Sequence, residues 1–582
     1  MSDEEQANER VLKHKLQLIQ SPVVFRQRSD LSATLQHAQT DDGVNALGYR
    51  DGKNHDCPEF QKYEEATNIE LFYDLFFAAN LGVFSGGHAV ANNEELHTYI
   101  GYFCMLWFTW ALVGLFDVRF VTDSIFERLA RAVHLGVMVG FAVVAPNFNP
   151  TDDADDAALA IILLVSRLAL SVQYATILWH VREHRRTWRP LNIMIWLNLA
   201  SAFVYLGIAF GLKTQNSRGY IAWYVMGGVE VALTAGLSLF WDVLSFEGTH
   251  LINRMSLLTF IIIGEGVNVV ASCITLIVKN PEAWTSPTIG TVTAAIATLY
   301  IVYQIYFDWM RHLHLPRYRQ LAWALIHFPF QLVLTLFVEG AAQLALWAKA
   351  FEVLNWSVAL FGTMGDDLMA NVTTRTKEEF TAEARANVDL IFSLYPITSQ
   401  DTSRAVEDAF ATLNTIPADW WTNARNSTDA NMAIFEIAEY ELLFSIFNSL
   451  LASFEIQPFD NITGVSTSDE ASYQQAIYLE NGVRFKTVFY YSFVAAGSVI
   501  ILLNILFVVS RTEVWRPWHY IRTAINILMG IGLCLVSLVL KNTDMAANYG
   551  PTPWVLPTAC LTFFVMLIFN HLPHPPPVLF RR

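Results

Sequence analysis

Apolar residues in this chain run in blocks of about 20, separated by short polar loops. A soluble amphipathic helix would place polar residues along one face at every turn. Here whole blocks are apolar all round, and about 20 such residues cross the hydrocarbon core of a bilayer as a helix. The blocks fall at 69–89, 98–116, 132–148, 157–178, 191–211, 220–241, 255–278, 287–307 and 321–346, then at 485–509, 520–540 and 553–571. The pattern predicts an all-α polytopic membrane protein, a bundle of about 12 transmembrane helices within a range of 9–13.

Five regions follow from the same pattern. Residues 1–68 form a polar, cytosolic and partly disordered tail, with a short helical piece around Val11–Gln20. Residues 69–346 carry nine spans, and 347–484 form an acidic non-cytosolic loop with amphipathic helices. Residues 485–571 make a three-span unit, and 572–582 a short cytosolic tail. Within the loop, Met432–Phe454 is apolar but carries Glu436, Glu439 and Glu441, which makes a full span expensive. It reads as an amphipathic helix lying on the bundle or the membrane surface. Leu354–Met364 reads either as a re-entrant piece or as the end of a broken helix.

Composition supports the membrane reading, since only 15% of residues are charged against about 25% in ordinary globular proteins. The net charge of -16 excludes nucleic acid as a partner. Much of that charge lies in residues 363–482, with 19 Asp and Glu against 5 Arg and Lys. Cys104, Cys273, Cys534 and Cys560 lie in apolar blocks and Cys57 alone in a polar segment, so no disulfide framework is available.

Charge placement sets the orientation. Arg119, Arg128 and Arg131 lie between spans 2 and 3, and Arg182, Arg185, Arg186 and Arg189 between spans 4 and 5. Arg311, Arg317 and Arg319 follow span 8, and Arg511, Arg516 and Arg522 follow span 10. The positive-inside rule then places both termini in the cytosol of a plasma membrane or endomembrane. The acidic loop lies on the opposite side, where its sequons at Asn371, Asn426 and Asn461 could be glycosylated.

The ionisable residues inside the spans are the candidate chemistry. Thr67-Asn68-Ile69-Glu70 fits a capping box, and Asp74 lies one turn deeper on the same face. Two carboxylates at that spacing repel, so they call for a cation, a shared proton or an arginine from another helix. Arg167, near the middle of span 4, is the expected partner, with Asp74 favoured over Glu265. Glu230, Glu265 and Glu339 are further members of an intramembrane polar site. Gly264 and Gly266 flank Glu265, which suggests close helix packing or a locally broken helix. His327 stands before Pro329 and reads as a hydrogen-bonded interhelical histidine or, less simply, a proton-sensitive one. No Walker A loop, dinucleotide fingerprint or nucleophile elbow occurs, so no catalytic residues, cofactor or metal are assigned.

Three passages together resemble a known family. Glu70-Leu71-Phe72-Tyr73-Asp74-Leu75-Phe76-Phe77 is similar to the opening signature of the bacterial low temperature requirement A family. His250-Leu251-Ile252-Asn253-Arg254-Met255, continuing to Gly264-Glu265-Gly266-Val267, resembles a second family run, with Asn253 where the family has Glu. Tyr306-Phe307-Asp308 and His327-Phe328-Pro329 resemble two later features, and Arg167 the family's arginine of span 4. The resemblance covers roughly residues 60–346, and the added length suggests a fungal-type member. It implies a membrane bundle and no particular substrate.

Three functions are compatible with these residues. The first is a secondary transporter or channel for a small ion or solute, proton-linked, with Asp74 and Glu265 binding the cation. The second is a membrane enzyme or assembly factor acting on a lipid or lipid-linked substrate. The third is a membrane scaffold or sensor. The expected partners are the lipid bilayer and a small ion or solute; a homo-oligomer is compatible with the pattern.

Overall fold

A computed structural model describes residues 17–23, 60–63, 65–88, 90, 92–120, 122–148, 153–211, 220–278, 284–309, 315–369, 376–397, 400–422, 430–456, 470–512 and 514–572. Among these the protein is all helix, apart from an isolated bridge between Val23 and Phe60. The first nine helices are α1 (Asn68–Gly87), α2 (Asn93–Phe120), α3 (Ile125–Val144), α4 (Asp153–His180), α5 (Arg185–Gly211), α6 (Tyr220–Phe240), α7 (Leu251–Ile277), α8 (Ser286–Trp309) and α9 (Arg317–Met369). The acidic region holds α10 (Lys377–Leu394), α11 (Gln400–Thr415), α12 (Ala418–Thr422) and α13 (Ala430–Ser453). The chain ends in α14 (Glu470–Ser510), α15 (Pro517–Val536), α16 (Thr543–Tyr549) and α17 (Val555–His571).

Among the described residues, ten helices, α2–α9, α14 and α15, are long and apolar enough to cross a membrane. The other two expected spans are helices at the expected places but fall outside that set. Helix α1 carries Glu70, Asp74 and Asn80, and α17 has only 17 residues. The expected short helix at Val11–Gln20 lies partly outside the described residues, and 17–20 are not helical. Leu354–Met364 is neither re-entrant nor a broken end, because α9 runs through it and through Pro329 as one helix of 53 residues. The three sequons lie outside the described residues.

Helix α2 is the axis of the first nine. Its apolar window is 94% buried, against 28–61% for the other membrane-length helices. A helix apolar all round is stable only where every face is covered. Around α2 stand α1, α4, α6, α7 and α9, while α14 packs along α9 and α15 along α14. Helix α13 packs on α11, α14 and α9.

Candidate functional site

Helix α1 begins as its residues dictate. Glu70 Oε2 accepts from the Thr67 amide at 2.6 Å and the Thr67 hydroxyl at 2.9 Å, while the Glu70 amide donates to the Thr67 carbonyl. Glu70 Oε1 lies 3.2 Å from His250 Nε2, just before α7. One turn along α1, Asp74 Oδ1 accepts from Trp110 Nε1 of α2 at 2.7 Å and stands 2.9 Å from Arg254 Nη2 of α7. The Arg254 contact is an ion pair by distance, off the line of a hydrogen bond. Asp117 of α2 and Arg131 of α3 close this cluster at 3.4 Å. The side chains of Glu70, Asp74 and Arg254 are wholly buried.

Arg167 is not the partner of Asp74. Its Nε meets Glu230 Oε2 of α6 at 2.9 Å, and Tyr205 of α5 donates to the same oxygen at 3.3 Å. The reason is placement. Helix α1 packs on α3, α7 and α2, so Arg254 and Trp110 reach Asp74 first, while α4 packs chiefly on α5 and α3. Glu265 is also not bound to Arg167. It accepts from Asn268 at 3.3 Å and lies against α1, where a Cβ on Gly82 would come within 2.6 Å of its Oε1.

The two flanking glycines differ. A Cβ on Gly266 would meet Val338 of α9 at 2.8 Å, so this glycine permits the α7–α9 approach. A Cβ on Gly264 would meet nothing within 4 Å, and α7 runs unbroken through both. Close helix packing is therefore found at Gly266 and not at Gly264, and the expectation of a broken helix is corrected. His327 makes interhelical contact, its Nε2 2.8 Å from the Tyr306 hydroxyl and its Nδ1 2.8 Å from the Trp323 carbonyl. Asp308 stands 3.3 Å from His571 near the surface.

Glu265 and Glu339 share a small cavity with Ser85, Tyr99 and Thr335, closed by Leu81, Ile262, Gly266, Val269 and Val338. Among the described residues, no Lys or Arg lines it. About 10 Å³ is open to a water-sized sphere, room for about one water. Tyr99 and Ser85 are hydrogen-bonded at 2.9 Å, and Gln343 donates to Glu339 at 3.0 Å. Between this cavity and Arg254, Trp107 Nε1 donates to Gln331 Oε1 at 2.7 Å, and Gln331 Nε2 to Thr259 at 2.9 Å. Polar groups thus recur along α7 at His250, Arg254, Thr259 and Glu265, a rise of roughly 22 Å.

Outside the spans, burial pushes the Tyr63 hydroxyl up, with Asp123 and Glu70 adding to the effect. The bond from Arg128 holds Asp123 below its ordinary value.

Asp117, Trp110, Tyr99 and Gln331 were not among the sequence candidates. Asp117 had a signal, a carboxylate three residues before the end of an apolar helix; the aromatic donors had none, because Trp and Tyr are common in such blocks.

Apolar helices of this length and number, packed around one buried axis, define a multi-spanning membrane protein. Residues 65–381 match the family model described as bacterial low temperature requirement A protein, and the chain belongs to that family. No curated protein and no solved structure matches it.

Proposed function

We propose that this protein is a secondary transporter or channel for a small cation or solute, linked to protons, with Glu265 and Glu339 as its ion site. One observation carries the reading: two carboxylates from different helices face one small cavity that, among the described residues, no Lys or Arg lines. Two carboxylates on one cavity, with no cationic side chain beside them, suit a proton or a metal cation as the balancing charge. Carboxylates at membrane depth are costly unless they pair or line a wet path. Three hydroxyl groups around the same cavity suit a partly dehydrated cation. The Trp107–Gln331–Thr259 bonds and the Asp74–Arg254 pair extend polar contacts toward the start of α7. Arg254, in place of Arg167, supplies the counter-charge to Asp74.

Purified protein in sealed vesicles, with a trapped pH dye and a panel of monovalent and divalent cations, tests this. Glu265→Gln and Glu339→Gln keep the shape and should fold like the parent. Each should abolish cation- or proton-dependent flux. Equal flux in parent and both variants across pH 5–8 would refute the assignment. Absence of flux in the parent would favour the lipid-substrate or scaffold readings.

A further inference from the structure

The His250 ring stands between two acceptors. Its Nδ1 is 3.1 Å from the Tyr63 carbonyl oxygen, and its Nε2 is 3.2 Å from Glu70 Oε1. A neutral imidazole carries one N–H and turns a lone pair on its other side. It can therefore serve one of these acceptors and must oppose the other. The remaining Glu70 oxygen cannot relieve the conflict, because Thr67 already donates to it twice. The His250 and Glu70 side chains are 1% and 0% exposed, so bulk solvent does not intervene. The contact needs one more proton than neutral histidine and ionised glutamate contain.

The surroundings point the same way. The charged and titratable groups around the pair are Asp74 on α1, Asp117 on α2 with its partner Arg131 on α3, Arg254 on α7, and Tyr63, on which Asp123, paired with Arg128, also acts. Counting Glu70, three carboxyl groups meet two guanidinium groups. A bound proton reduces that excess of negative charge.

We infer that His250 and Glu70 together form a proton-binding site that fastens the segment before α1 to the start of α7. With the proton bound, imidazolium donates to the Tyr63 carbonyl and to the Glu70 carboxylate. When it leaves, a carboxylate faces a lone pair and the tie from Tyr63 through Glu70 is weakened. The segment's other ties, from the Gln61 amide to the Pro22 carbonyl at 2.9 Å and from Lys62 to the Glu247 carbonyl, do not depend on this proton. The site lies 15 residues before Glu265 along the chain and stands whether or not the protein transports.

Backbone hydrogen exchange of the parent in detergent, at pH 6.0 and 8.5 and corrected for intrinsic rates, tests the inference. Peptides covering residues 65–71 should lose about tenfold in protection at the higher pH, the size of one charge-assisted hydrogen bond. Peptides from α14 should not change. Glu70→Gln offers an amide that donates to Nε2 and a carbonyl that accepts from Thr67, so neutral histidine suffices. Its protection should be the same at both pH values. Equal protection in the parent at both pH values would overturn the site, as would a Glu70→Gln variant that keeps the parent's pH response. If Glu70→Gln does not fold, the parent measurement decides alone.

Discussion

Removing Arg167 tests the electrostatic core of the bundle most directly. The Arg167 and Glu230 side chains are 0% and 2% exposed and meet at 2.9 Å. In Arg167→Leu, Glu230 Oε2 keeps one donor, the Tyr205 hydroxyl at 3.3 Å, and Oε1 has no hydrogen bond. A buried charge left alone in this way costs about 3–5 kcal/mol. Loss of the guanidinium over the Tyr205 ring, centred 5.5 Å away, adds on the order of 1 kcal/mol. The sum approaches the whole stability of many folded chains, about 5–15 kcal/mol. Arg167→Leu should therefore give little folded protein by size exclusion and denaturant titration in mixed micelles. The double change Arg167→Leu with Glu230→Leu removes both charges and should return to within about 2 kcal/mol of the parent. Arg167 and Asp74 share no hydrogen-bond partner, so that pair should be additive within about 0.5 kcal/mol. Strong coupling of Arg167 to Asp74, or a double Arg167/Glu230 variant as unstable as the summed singles, would refute the reasoning.

Other outcomes follow from single contacts. Gly266→Ala presses a methyl on Val338 at 2.8 Å and should cost about 1–3 kcal/mol, whereas Gly264→Ala meets nothing and should be neutral or gain up to about 1 kcal/mol in thermal unfolding. Trp110→Phe removes the 2.7 Å donor to Asp74 and should cost about 1.5–3 kcal/mol by the same assay. In the acidic region, the bond from Arg385 holds the exposed Glu407 carboxyl below its ordinary value of 4.5. A depressed carboxyl stabilises above that value and loses the effect as pH falls through its folded value. Arg385→Ala should thus cost less than about 1 kcal/mol at pH 7, measured by chemical denaturation, and nothing once both states are protonated.

The positions of the spans were legible because membrane burial is a local rule. Twenty apolar residues in a row need no partner to declare themselves, and a helix stands at each of the twelve expected blocks. The candidates Glu70, Asp74, Arg167, Glu230, Glu265 and Glu339 were legible for the same reason, since each is a charge where charge is expensive. The Thr67–Glu70 cap was legible too, because its partners are three residues apart.

Pairing was not legible, because it depends on which helices are neighbours. Asp74 and Arg254 are 180 residues apart, and only the packing of α1 against α7 brings them within 2.9 Å. Arg167 and Glu230 sit on α4 and α6, so no spacing rule joins them. The shared cavity of Glu265 and Glu339 likewise needs the close approach of α7 to α9, where Gly266 meets Val338. By itself the sequence determined that charges must be buried in a bundle of apolar helices, since hydrophobic length is a property of one segment. Which charge meets which was decided by tertiary structure alone, since electrostatic compensation is a property of the distances between segments.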